Sequence, residues 1–150
     1  MNPKWDVRFL QMARMVAQYS KDPSTKCGAV IVRPDKTVAS TGFNGFPAAM
    51  EDRVDWYNDR QEKYPRIIHC EVNALIHAYQ NVAGFTLYTY PFACCDRCAV
   101  QMIGAGIVRF VFPELPDTLK DRWGVEVERS KKYMTESRGV SFCEYEVGSF

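Results

Sequence analysis

The chain has 150 residues, 47 % apolar and 25 % charged, a globular composition that excludes wholesale disorder, collagen and coiled coil as the dominant structure. A chain of this length fits one domain and buries roughly 70 % of its unfolded surface, so it needs no covalent staple. Nineteen Lys and Arg against eighteen Asp and Glu leave a net charge of +1, which offers no polybasic surface to a polynucleotide or an anionic membrane.

Pro3 to Ser20 predicts a first helix, because Val7, Leu10, Met12, Met15, Val16 and Tyr19 recur near helical spacing and Pro3 suits a first turn. Cys27 to Arg33 and Thr37 to Phe43 predict two strands joined at Pro34-Asp35-Lys36 as a hairpin. Asn44 to Pro65 is polar and irregular, with a short helix expected over Asp55 to Lys63. Arg66 to Asn81 predicts a helix whose stripe carries Ile67, Cys70, Ala74, Leu75 and Ala78, stopped by Gly84. Phe85 to Tyr90 predicts a strand, Asp96 to Ala105 a helix ended by Gly106, and Ile107 to Phe112 a strand. After a turn at Pro113 to Pro116, Asp117 to Ser137 predicts a helix with a break at Gly124, and Val140 to Val147 a last strand. This α-β-β-α-β-α-β-α-β order predicts one mixed five-stranded sheet inside a three-layer α/β/α sandwich. Tyr88, Phe110, Phe112 and Phe142 alternate as strand core residues should, with Tyr90 or Phe142 available to stack on a planar ligand.

The longest uncharged run, Ala78 to Cys95, is too polar and too broken to span a bilayer. Lys4, Asp6 and Arg8 stand where a signal peptide needs apolar residues, so the expected location is the cytoplasm. Of six cysteines, Cys94, Cys95 and Cys98 fall within five residues, which in such a compartment points to metal or catalysis before disulfides.

The informative residues are His69-Cys70-Glu71 and Cys95-Asp96-Arg97-Cys98, each at an expected helix start. Cysteines three apart in a first helical turn can aim both sulfurs one way, and a helix N-terminus favours the thiolate that binds zinc. With His69 as third ligand, a fourth tetrahedral position stays open to a water, as in catalytic zinc sites, and that water loses a proton near neutral pH. Glu71 is then free to shuttle protons. Cys94 offers a second register, pairing with Cys98; the helical spacing favours Cys95. The alternatives are a closed Cys-rich zinc knot recruiting Cys70, and a second site drawn from Cys27, Cys70, His77 and Cys143. Buried free cysteines also serve as small hydrophobes. His77 fits a surface or interface position.

His-x-Glu followed by Cys-x-x-Cys resembles the signature of zinc nucleobase deaminases, with Cys94 where that signature has Pro. The chain resembles the deoxycytidylate deaminases of the cytidine deaminase superfamily from Trp5 to about Val111, above all short phage and bacterial members. The stretches that carry the resemblance are Ser20 to Lys26, Gly28 to Val32, Gly42 to Pro47, His69 to Ala74, Thr86 to Thr89 and Ala105 to Ile107. It implies hydrolysis of dCMP to dUMP and ammonia, feeding thymidylate synthesis, with zinc on His69, Cys95 and Cys98 and Glu71 as the catalytic proton carrier. It implies that Ser24, Thr25 and Lys26 line the base and phosphate end, that Asn44 bonds the sugar hydroxyl, and that the Cys70 N–H, at a position where the family has Ala, approaches the pyrimidine carbonyl. Thr89 is carried with these substrate contacts. It further implies a homo-oligomer, commonly a hexamer, activated by dCTP and inhibited by dTTP with magnesium. The effector would lie near Asn44, Gly45 and Phe46, where Phe43 replaces the commoner Tyr, and His77 and Gln80 would lie on the regulatory interface helix.

Residue by residue, Asn44 also suits a left-handed turn and Lys26 a solvated edge charge. The rival substrates are a free nucleoside, dCTP, a modified dCMP, guanine and tRNA adenosine, the last disfavoured by scattered basic residues. A nucleotide sensor without chemistry is the rival of another class, hinted at by Cys94.

Overall fold

A wholly buried strand organises the computed structural model, which describes residues 3–146 and 148. All five residues of β1 (Gly28–Val32) are buried, the pattern of a strand covered on both faces. β2 (Val38–Phe43) and β3 (Thr86–Tyr90) flank it, both antiparallel. β4 (Arg109–Pro113) and β5 (Ser141–Tyr145) add in parallel, so the order is β2-β1-β3-β4-β5. The mixed five-stranded sheet, the first hairpin and the parallel second half all match the sequence expectation.

Side-chain alternation sends β1 residues to two layers. Val30 and Val32, with Tyr88 and Val111, meet Phe9, Leu10 and Ala13 of α1 (Pro3–Ala17). Burial of each large apolar side chain there contributes about 2 kcal/mol. Ala29 and Ile31, with Leu87, Phe110 and Phe112, face the opposite layer, built by α4 (Cys70–Ile76), α5 (Asp96–Gly104) and α6 (Lys120–Glu136). Two glycines let helices sit directly on strand backbone. A Cβ on Gly28 would come within 2.2 Å of the Ala13 carbonyl oxygen, and one on Gly42 within 2.4 Å of the Cys70 oxygen and the Ala74 nitrogen. Gly42 therefore sets how closely α4 approaches the sheet.

Several boundaries differ from the sequence expectation, each for a local reason. The expected Asp55–Lys63 helix is two, α2 (Val54–Tyr57) and α3 (Arg60–Arg66), because Asp59 turns extended and caps α3 by accepting the Gln61 N–H. No single helix runs from Arg66 to Asn81. Arg66 closes α3, Ile67 is extended, and Ile68 exchanges backbone hydrogen bonds of 2.8 and 3.1 Å with Gly45. That bridge holds His69 extended ahead of α4. Downstream, Tyr79 adopts φ 52° and turns the chain away. The expected break at Gly124 does not occur: a 3-10 turn (Asp117–Leu119) leads into an unbroken α6. The helical cost of Gly124, about 1 kcal/mol, is outweighed by the packing of Val127, Ser130 and Met134. α1 ends at Ala17 rather than Ser20, and β4 starts at Arg109 rather than Ile107. Val147, expected in the last strand, lies outside the described residues.

One buried carboxylate ties the α1 layer to three strands. Asp6 is fully buried and accepts from Arg109 (2.8 and 2.6 Å), Tyr88 (2.7 Å) and Tyr145 (2.7 Å). Burial pushes its carboxyl up, but the Arg109, Tyr145 and Tyr88 hydrogen bonds outweigh it and hold the group below its usual 3.8. A carboxylate lowered on folding stabilises the fold above the unfolded value, and the contribution fades as pH falls through the folded value. Asp6→Asn removes the carboxylate charge from a buried ion pair, so it should cost about 3–5 kcal/mol at pH 7 in denaturant unfolding. The gap between wild type and variant should narrow below about pH 4.

Candidate active site

Two helix starts meet at the C-terminal end of β3. His69 is the extended N-cap of α4 (ψ 152°) and Cys95 that of α5 (ψ 166°), so each side chain projects ahead of its helix. The Cys95 sulfur accepts the Cys98 N–H at 3.5 Å, which brings the two sulfurs to one side. His69 Nδ1 lies 3.5 Å from Cys95 Sγ and 3.2 Å from Cys98 Sγ. Zinc bonds of about 2.3 Å to sulfur and 2.0–2.1 Å to nitrogen at a tetrahedral angle put N and S about 3.5 Å apart. The donor set thus fits zinc in both chemistry and spacing. With a Glu71 oxygen included, the four donor atoms lie within 4.8 Å of one another, the one such cluster found among the described residues.

The electrostatics agree with a cation site. The Cys95 thiol is pulled down to about 4, chiefly by its hydrogen bond with Cys98 and further by His69, against burial. His69 is pushed up to about 9, chiefly by Cys95. Cys98 is raised by its bond with Cys95, by burial and by Glu71. One thiolate is therefore shared among three donors, and a divalent cation would satisfy all three while displacing the protons of His69 and Cys98.

Glu71 is 3 % exposed and occupies the first turn of α4. Its Oε2 accepts the Cys70 S–H at 2.7 Å, while Oε1 lies 4.0 Å from His69 Nδ1. Cys70 is thus a thiol donor to the carboxylate; burial holds it well above its usual 9.0, and it stands outside the donor cluster, which weighs against the closed knot. Cys94 is buried too, its sulfur 3.8 Å from the Ser130 hydroxyl, whose proton goes to the Cys94 carbonyl at 2.6 Å. Cys94 packs in the core cluster at the cavity wall and stands outside the donor group, which favours the Cys95 register. His77 turns its Nδ1 to the Asn73 carbonyl, and no second metal group forms with Cys27, Cys70 or Cys143 among the described residues.

A cavity of about 420 Å³ opens over this cluster. His69, Cys70, Glu71 and Cys95 line it together with Ser24, Thr25 and Asn44, so most expected contacts converge. Two expected residues do not reach its wall: the Lys26 ammonium donates to the Ser20 carbonyl, and the Thr89 hydroxyl donates to the Phe92 carbonyl at 2.9 Å. Asn44 is not in a left-handed turn; it knits the loop, its Oδ1 accepting from the Cys27 N–H at 2.8 Å and its Nδ2 donating to Thr25 O at 2.8 Å and Asp22 Oδ2 at 3.4 Å. Gly45 is held in the bridge to Ile68, and Phe46 is buried against Tyr57 with ring centroids 4.0 Å apart. Of the two candidate stacking aromatics, Tyr90 lines the cavity, whereas Phe142 stacks on Phe112 at 5.7 Å, away from it.

Sequence reasoning missed two parts of the wall. Lys63, 4 % exposed, pairs with Asp22 at 3.2 Å behind the Ser24–Thr25 loop. Asp22 lay within a quoted motif, but a buried Lys inside a polar stretch carries no periodic signal. Arg122, Trp123, Glu126 and Val127 of α6 close another side, with Phe92 and Arg97. Their helix was expected, but its position over the cavity follows only from the chain crossing α5.

The family model described as "Cytidine and deoxycytidylate deaminase zinc-binding region" matches residues 3–114. The chain is 37 % identical over 134 residues to an uncharacterized deaminase of Aliivibrio fischeri, covering 89 % of each. It is 35 % identical to the deoxycytidylate deaminase of Mus musculus, over 95 % of this chain and 80 % of that one. The dCMP deaminase of cyanophage S-TIM5, solved in complex with dCMP and dUMP, shares the fold with a TM-score of 0.72 at 18 % identity, over 96 % and 98 % of the two chains. The chain belongs to the cytidine and deoxycytidylate deaminase family.

If Cys95 and Cys98, and not Cys94, hold the metal, Cys94→Ala should retain about one zinc per chain. Cys95→Ala and Cys98→Ala should each weaken zinc binding by about tenfold or more, measured by competition with a chromogenic chelator.

Proposed function

We propose that this protein is a zinc-dependent hydrolase that converts dCMP to dUMP and ammonia. The observation that carries this reading is the Glu71 carboxylate, buried on the cavity wall beside three donors spaced for zinc. Zinc held by His69, Cys95 and Cys98 would supply a Lewis acid that activates water at neutral pH. Glu71 does the proton work: with Oε2 occupied by the Cys70 thiol, Oε1 accepts one proton of the attacking water and passes it to ring N3, then takes the second proton of that oxygen and passes it to the departing amine. The first-turn N–H groups of α4, Cys70 among them, lack intrahelical acceptors and suit the pyrimidine carbonyl. Tyr90 and Phe92 offer faces to the base, and Ser24, Thr25, Arg97 and Arg122 offer donors toward a sugar phosphate.

The core position of Cys94 weighs against a sensor without chemistry. We extend the proposal to a cytoplasmic homo-oligomer, a hexamer, supplying thymidylate synthesis and regulated by dCTP and by dTTP with magnesium. Exposed Tyr79, Ile76 and Tyr19 near the β2–α4 edge support an oligomer contact there. The burial of Asn44 and Phe46 counts against effector contacts by those side chains within one subunit. No helix among the described residues is long and apolar enough to cross a membrane.

Ammonia release from dCMP, dCTP and cytidine tests the assignment, with dCMP expected to give the highest kcat/KM. Glu71→Ala should keep zinc and nucleotide binding and lower kcat by about 10²-fold or more. Equal turnover without Glu71, or no release from any cytosine compound, would overturn the proposal.

A further inference from the structure

Among the described residues, the buried side-chain nitrogen and oxygen atoms without a hydrogen-bond partner are Trp123 Nε1 and Glu126 Oε2. Both residues line the cavity, and they stand three apart on α6, so they share one helical face. A buried donor or acceptor left unpaired carries an uncompensated desolvation cost, and two on one helical face lining a ligand cavity point to a group that arrives with the ligand. The indole is held in place: its ring packs on Phe92, centroids 5.6 Å apart, and the Arg122 guanidinium sits 4.9 Å over it.

A donor beside a carboxylate selects its ligand chemistry. A phosphate would be repelled by Glu126, a carbonyl would leave the carboxylate unpaired, and an ammonium could not accept from the indole. A hydroxyl satisfies both, accepting from the Trp123 N–H and donating to Glu126. We propose that Trp123 and Glu126 form a subsite for a hydroxyl group of the substrate and so set specificity within the deaminase reaction, a proposal that rests on the deaminase reading. α6 (Lys120–Glu136) lies outside the family-matched residues 3–114, so this wall is separate from the shared metal chemistry. Two hydroxyls are candidates. One is the sugar 3′-hydroxyl, for which Asn44 has both amide hydrogens already engaged. The other is a hydroxymethyl group on the ring carbon next to the amine-bearing carbon. That ring carbon is on the flank opposite N3, which Glu71 serves from α4, while Glu126 lines the cavity from α6.

The test uses the zinc-loaded protein with Trp123→Phe, which removes the N–H together with the five-membered ring that carries it, and the near-isosteric Glu126→Gln. Calorimetry gives Kd for dUMP, its 3′-deoxy analogue, 5-methyl-dUMP and 5-hydroxymethyl-dUMP, and kcat/KM is measured for the matching cytosine nucleotides. Both variants should keep wild-type zinc content, and Glu126→Gln the wild-type Tm. Each should weaken the nucleotide carrying the recognised hydroxyl by about five- to tenfold and leave its partner lacking that hydroxyl within about twofold. Loss for dUMP but not for the 3′-deoxy analogue assigns the sugar hydroxyl; loss for the 5-hydroxymethyl but not the 5-methyl compound assigns the ring substituent. Equal loss across all four nucleotides, or no loss for any, overturns the subsite. Wild-type protein that binds the uracil series yet releases no ammonia overturns the deaminase reading and leaves the binding comparison to judge the subsite.

Discussion

The close approach of one imidazole nitrogen to two sulfurs, 3.2 and 3.5 Å, is the contact on which the rest of the molecule depends. These groups come from two separate helix starts, and each start is fixed by backbone that is extended for reasons of its own. His69 is held ahead of α4 by the Gly45–Ile68 bridge, and Cys95 stands ahead of α5 with its sulfur accepting the Cys98 N–H. Slackening either start by an ångström would separate the donors and move Glu71, which shares the first turn of α4, away from them.

The sheet supplies the rigidity this requires. Gly42 lets α4 rest on β2 with no side chain between, and Gly28 does the same for α1 on β1. From the other side, the loop that reaches the cavity is knitted by Asn44 and the buried Asp22–Lys63 pair, while the Ser24 N–H donates to the Asp22 carboxylate at 2.9 Å. The polar loop is therefore ordered by internal hydrogen bonds and still presents Ser24 and Thr25 to the cavity.

The fold was legible in the sequence where periodicity is strong. β1, β3 and α1 announce themselves by pattern, and the sheet order of the second half follows from crossover chemistry. The metal donors and Glu71 were legible because their spacing is chemistry, and helical spacing also favoured Cys95 over Cys94. What escaped was tertiary in origin. The apolar stripe from Ile67 to Ala78 looks helical throughout, but the pairing of Ile68 with Gly45 breaks it. Lys26 looked like a phosphate ligand beside a strand but is engaged by the Ser20 carbonyl, whereas Lys63, in an unpatterned stretch, is buried on the wall. Trp123 and Glu126 became visible only once α6 was seen to lie over the cavity.

The central claim is that three protein donors hold one zinc and leave its fourth position to water, with Cys94 and Cys70 outside the coordination sphere. Zinc-edge X-ray absorption on the loaded protein tests it most directly. Two sulfurs at about 2.3 Å and two lighter atoms at about 2.0–2.1 Å are the expected shell. Three or four sulfurs around the metal would contradict the account.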